Sequence, residues 1–306
     1  MSMACYYFSP CSFSVQIMLL LAMLSSIPLS CATPFIILHG LGMQCNDEAS
    51  TFYQTSLSML AGIKGPCVEI GGGAYDSWSI PIEQQVETVC AKIRGMPELQ
   101  QGYNLVGLSQ GNIIGRGVIE LCDNVPQVKN FISVGGPNAG VASVPACSNE
   151  AWCDGVGSVS GMGVYSDYVQ AHLAPSGYTK LPNDIPGYLK GCRFLPIINN
   201  EIPGANNTLH KQRFISLQNL VLIMFETDDI VNPTLSSWFG YYPDGDLSNV
   251  LPPQQTNAYK EDLFGLRTLD EGGKVKFIKV PGNHLEITIP EMQQYVVPYL
   301  LDSAAP

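Results

Sequence analysis

The sequence predicts an α/β fold, a mostly parallel sheet with helices on both faces, and three observations predict it. Short apolar runs such as Phe35-Ile36-Ile37-Leu38 and Phe131-Ile132-Ser133-Val134 are bounded by turn residues, as expected of strands buried on both faces. These runs alternate with stretches of helical period, the pattern of a layered parallel sheet. Several of them end in glycine-bearing turns, at the carboxyl ends of strands where ligands gather in such sheets.

The first run delivers His39-Gly40-Leu41-Gly42, and a second strand is expected at Val68-Glu69-Ile70 before Gly71-Gly72-Gly73. Pro81 then opens a helix with Ile82, Val86, Val89, Cys90 and Ile93 on one face, ended by Gly95. Tyr103-Asn104-Leu105-Val106 is a strand that runs into Gly107-Leu108-Ser109-Gln110-Gly111, followed by a helix from Asn112 to Cys122. The strand Phe131 to Val134 is stopped by Gly135-Gly136-Pro137. From about Gly140 to Phe214 the chain is rich in Gly, Ser, Pro and Tyr with little sustained period, and reads as a lid insertion above the sheet. Strands resume at Leu220 to Phe225 and Val275 to Val280, and Pro298 should bend or shorten a last helix from Pro290 to Leu301.

At 306 residues and 46% hydrophobic, the chain can bury one large core with an appended lid, so residues 33–306 are read as a single domain. A net charge of −11 and pI near 4.7 argue against nucleic acid and anionic membrane as partners. No Asp, Glu, Lys or Arg precedes Asp47. The apolar run Ile17 to Leu24, followed by small residues ending Ser30-Cys31-Ala32, reads as a secretory signal peptide over residues 1–32, too short to span a bilayer comfortably. Cleavage near Ala32 would leave no stable membrane span. Of the ten cysteines, Cys5, Cys11 and Cys31 would leave with it, and seven would remain: three bridges and one free thiol in an oxidising compartment. Asn206-Asn207-Thr208 is a glycosylation sequon at Asn206, consistent with that compartment.

The chemistry centres on the Gly-x-Ser-x-Gly segment. A strand running into a sharp turn and then a helix projects one hydroxyl above the sheet, the nucleophile elbow of an α/β-hydrolase fold. A serine hydroxyl needs a histidine to take its proton, and that histidine needs a carboxylate to fix its tautomer. Of four histidines, His39 follows the first strand, His172 and His210 lie in the insertion, and His284 follows the last strand. In this fold the order is serine, acid, histidine, which makes His284 the base candidate. Strand Leu220 to Phe225 runs out into Glu226-Thr227-Asp228-Asp229, and order alone leaves Glu226, Asp228 and Asp229 open as the acid. The backbone N–H groups of Gln110 and Leu41 are the candidate oxyanion donors. No Gly-x-Gly-x-x-Gly, Cys-x-x-Cys or His-x-x-x-His occurs, so neither a dinucleotide cofactor nor a metal is expected.

His39-Gly40-Leu41-Gly42, Leu108-Ser109-Gln110-Gly111, Ile132-Ser133-Val134-Gly135-Gly136, Asp228 with Ile230-Val231, Ser237-Trp238-Phe239-Gly240 and Asn283-His284 together resemble the palmitoyl-protein thioesterases. The resemblance runs over nearly all of the chain from Pro34. It implies Ser109 as nucleophile, Asp228 rather than Asp229 as acid, and His284 as base. It also suggests bridges Cys90 to Cys122 and Cys147 to Cys153; Cys45 to Cys67 is a further pairing considered. The implied activity is removal of long-chain acyl groups from cysteine thioesters of proteins or peptides, in the lysosomal or vacuolar lumen or after secretion. Met43-Gln44 replaces a common Asp-Ser, one of two adjacent cysteines is absent there, and Asn112 stands where Gly is usual. The residues alone leave open an oxygen-ester lipase or carboxylesterase with the same triad, or a catalytically silent lipid-binding protein.

Overall fold

The computed structural model describes residues 33–143 and 163–301 of the chain. The expected signal peptide and the Cys147 to Cys153 bridge lie outside the described residues. Five parallel strands stand side by side in sequence order: β1 (Phe35–Leu38), β2 (Tyr103–Leu108), β3 (Val128–Val134), β4 (Asn219–Phe225) and β5 (Val275–Val280). Parallel neighbours require crossovers, and helices supply most of them. These are α1 (Glu48–Ala61), α2 (Ala74–Ser79) and α3 (Ile82–Arg94) before β2, then α4 (Gly111–Leu121) between β2 and β3. Between β3 and β4 lie α5 (Asp167–His172), α6 (Ile185–Gly191), α7 (Leu195–Ile198) and α8 (Asn207–Ile215). Then α9 (Asn257–Lys260) and α10 (Leu266–Glu271) precede β5, and α11 (Ile289–Tyr295) follows it.

Side chains alternate across each strand, so the sheet divides its apolar residues between two cores. Ile36, Leu105, Phe131 and Leu222 face Val86, Val89, Ile113 and Val118 of α3 and α4. Ile37, Val106, Ile132 and Ile223 face Tyr53 and Leu57 of α1 and Met292 of α11. With helices on both faces of a parallel sheet and an elbow after β2, this is the α/β-hydrolase arrangement that the sequence predicts. Among the described residues, no helix is long and apolar enough to cross a membrane.

Some elements differ from the expectation. Helix α1 was not foreseen, because its Ser and Thr content blurs the apolar stripe. Its ends were nonetheless encoded: Asp47 caps the start by accepting from Ser50 N–H at 2.6 Å, and Gly62 closes it at φ 65°. The expected strand at Val68 to Ile70 is reduced to one bridge, Ile37 with Cys67. Pro66 offers no N–H there, and the Glu69 carboxylate binds His39 and the Cys45 N–H. The last helix is cut short as Pro298 led one to expect: it ends at Tyr295, and Val297–Tyr299 continue as a single tighter turn.

Candidate active site

Ser109 sits between β2 and α4 with φ 51°, a left-handed conformation that is strained for a residue with a side chain. Close packing over-determines it. A Cβ on Gly111 would lie 2.3 Å from the Leu38 carbonyl oxygen, so only glycine lets the elbow press against β1. A Cβ on Gly107 would lie 2.2 Å from Asn112 Oδ1. Asn112 uses its Nδ2 to donate to Ser109 O at 3.0 Å and Val134 O at 3.1 Å, tying the turn to β3.

The Ser109 Oγ lies 2.9 Å from His284 Nε2, and His284 Nδ1 lies 2.7 Å from Asp228 Oδ2. Asp228 hangs in the loop after β4 and His284 in the loop after β5, neighbouring strands whose register brings the two loops together. The second Asp228 oxygen accepts from Ile230 N–H and Val231 N–H, each at 2.9 Å. These donors satisfy a carboxylate whose side chain is fully buried, where an unpaired charge would be costly. Asp229 and Glu226 are exposed, and Glu226 pairs with Lys279 at 2.7 Å. Of the three carboxylates that chain order leaves open, Asp228 is therefore the one that meets His284.

The other histidines have different surroundings. His39 Nε2 meets Glu69 at 2.6 Å, His172 stacks on Tyr168, and His210 lies on α8, where burial holds its pKa below the ordinary histidine value. His39, Cys45 and Glu69 lie close enough together to suggest a metal site. The Cys45 sulfur, however, is bonded to Cys67. A second disulfide joins Cys90 on α3 to Cys122 just after α4, and Cys192 is free and buried. Asn206 is exposed at the start of α8.

A cavity of about 210 Å³ opens against Ser109 and His284. Its walls are mainly apolar: Leu41, Met43, Trp78, Pro137, Val141, Ile230, Val231 and Leu285, with Tyr178 from the segment before β4. In the segment expected as a lid, Val169, Leu173, Phe194, Leu195 and Ile198 are buried side chains rather than walls of this cavity. Leu189, Phe239, Tyr241 and Tyr242 line a separate cavity of about 400 Å³. Phe194, Leu195, Ile198 and Phe239 belong to the same buried cluster as Ile36, Leu105 and Phe131 of the sheet.

Leu41 borders the triad cavity, whereas Gln110 occupies the N-cap of α4, where helix N–H groups lack intrahelical acceptors. The Gln110 side chain turns inward to Ser77, Gln85 and Tyr178, all buried polar residues that carry no recognisable motif.

Known proteins are similar in sequence to most of the chain. It is 37% identical over 261 residues to palmitoyl-protein thioesterase 1 of Caenorhabditis elegans, covering 83% of this chain and 87% of that one. It is 33% identical over 290 residues to palmitoyl-protein thioesterase 3 of Dictyostelium discoideum, covering 92% and 97%. It is 29% identical over 276 residues to the lysosomal thioesterase PPT2 homolog of Drosophila melanogaster, covering 88% and 92%. Residues 34–284 match the family described as palmitoyl protein thioesterase, and on that extent of similarity the chain belongs to the palmitoyl protein thioesterase family.

Proposed function

We propose that this serine hydrolase removes long-chain fatty acyl groups from S-acylated cysteines of proteins or peptides through an acyl-enzyme on Ser109. The observation that carries the reading is the hydrogen-bonded row Asp228, His284, Ser109 at 2.7 and 2.9 Å, opening onto an apolar cavity in a chain of this family. The buried carboxylate keeps a proton on His284 Nδ1, which leaves Nε2 free to accept the Ser109 proton as Oγ attacks the thioester carbonyl. The cysteine sulfur leaves and takes that proton from Nε2 as a thiol, which restores the neutral ring. Nε2 then accepts a proton from water as it attacks the acyl-enzyme and returns it to Ser109 Oγ as the fatty acid is released.

Charge develops on the carbonyl oxygen in both steps. Backbone N–H groups of Leu41 and Gln110 would stabilise it, aided by the N-terminal end of α4. The acyl chain would leave water for the walls formed by Leu41, Met43, Trp78, Val141, Ile230 and Leu285. Transfer contributes about 25 cal/mol per Å² of apolar surface.

A luminal setting fits the two disulfides, the exposed Asn206 and the lysosomal designation of the Drosophila melanogaster relative. The test is hydrolysis of matched S-palmitoyl and O-palmitoyl peptides by the mature protein. Faster release from the thioester supports the reading, and preference for the oxygen ester would turn it into a lipase.

A further inference from the structure

Ser77, in the last turn of α2, touches both loops that carry the proposed oxyanion donors. Its Oγ accepts from Gly42 N–H at 2.8 Å and donates to Ala74 O at 2.6 Å. Its own carbonyl accepts from Gln110 Nε2 at 2.8 Å and from Gln85 Nε2 at 3.2 Å. The Gln110 carboxamide is held at its other end, because Oε1 accepts from Tyr178 OH at 2.9 Å, and its Nε2 also reaches Gln85 Oε1 at 3.2 Å. Gln85 Nε2 in turn donates to Ile80 O at 2.6 Å. Ser77, Gln85 and Gln110 are all completely buried.

Every group in this network has a partner of the correct polarity, which fixes the orientation of both carboxamides. We infer that Ser77, Gln85 and Tyr178 are positioning residues that set the spacing between the Leu41 and Gln110 N–H groups, an inference that rests on the catalytic reading above. Ser77 does this as one rigid unit, holding the Leu41–Gly42 peptide through its side chain and Gln110 through its main chain. Tyr178 adds a link to the acyl site, since its ring lines the cavity beside Ser109 while its hydroxyl steadies Gln110. Oxyanion donors act only if they already point to where charge will appear, and displacement of about 1 Å can cost about a hundredfold in rate. Loosening the network should therefore be felt in the transition state rather than in ground-state binding.

Ser77→Ala removes the acceptor for Gly42 N–H and the bond to Ala74 O but keeps the carbonyl that holds Gln110, and Tyr178→Phe keeps the ring in the cavity wall while deleting its hydroxyl. Each is compared with the unaltered enzyme for kcat and KM on an S-palmitoyl peptide. Affinity is also measured for a long-chain trifluoromethyl ketone, which forms a tetrahedral oxyanion adduct with serine, and for a palmityl thioether peptide, which has no carbonyl. The expected result is a fall in kcat of about tenfold to a hundredfold with KM within about twofold. Ketone affinity should fall in parallel and thioether affinity should hold, the latter also reporting an intact fold. Unchanged kcat in both variants, or equal losses for ketone and thioether, would overturn the inference. An unaltered enzyme that neither hydrolyses the thioester nor binds the ketone would remove the catalytic reading and this inference with it.

Discussion

The carboxylate of Asp228 and the imidazole of His284, 56 positions apart in sequence, meet at 2.7 Å while the opposite ring nitrogen faces Ser109 at 2.9 Å. The neighbouring Asp229 points to solvent. Ser109→Ala and His284→Ala should each lower acyl hydrolysis by several orders of magnitude and leave the fold intact, because the three groups act as a unit. Asp228→Asn should be nearly as damaging and Asp229→Asn mild. Steady-state kinetics on a palmitoyl thioester decide this, and a reversal of the two aspartates would mean that the wrong carboxylate has been given the role.

The apolar walls around Ser109 predict a strong dependence on acyl length. Each methylene moved from water contributes about 0.8 kcal/mol, so kcat/KM should climb at least about a hundredfold between acetyl and stearoyl thioesters before levelling. A flat profile, or a maximum at acetyl, would mark a short-chain esterase.

Glu120 gives a prediction about pH and stability. It is fully buried 3.0 Å from Arg116, and burial pushes its carboxyl up to about 7 although Arg116 pulls the other way. A raised value means that the folded chain holds a proton which the unfolded chain releases near the ordinary carboxylate range of about 4.3. The corresponding stability is present below that lower value and is lost as pH rises through about 7. The melting temperature of the wild type relative to Glu120→Gln should thus fall by a few degrees, on the order of ~3 °C, between acidic and mildly alkaline buffer. A rise in that difference with pH would contradict the assignment.

Cys192 is buried, and burial pushes its thiol up to about 12, far from the thiolate that alkylation requires. Iodoacetamide should leave it unmodified in the native protein at neutral pH and label it after denaturation. Native labelling at Cys192, read by peptide mass spectrometry, would show that the segment around α6 opens readily.

The parts of the site that could be read from the chain are those with local rules. The glycines around Ser109 mark a strand–turn–helix elbow, and His284 is selected by chain order alone. The choice of Asp228 over Asp229 depends on the resemblance and then on the turn that buries one and exposes the other. Nothing periodic identifies Ser77, Gln85 or Tyr178, whose bonds to Gln110 join residues 33, 25 and 68 positions apart. The bond from Cys45 to Cys67 closes a loop between β1 and its edge bridge, a closeness that exists only after the sheet forms. Apolar residues of the segment before β4 could not be sorted into cavity wall and core, because both environments reward the same side chains.

The covalent intermediate tests the central claim most directly. The mature enzyme is mixed with an S-palmitoyl peptide, quenched in acid within the first turnovers, digested, and the acylated residue located by mass spectrometry. The account predicts a palmitoyl ester on Ser109 that decays as free palmitate appears and is absent in Ser109→Ala. Palmitoylation of another residue, or continued hydrolysis by Ser109→Ala at the wild-type rate, would contradict it.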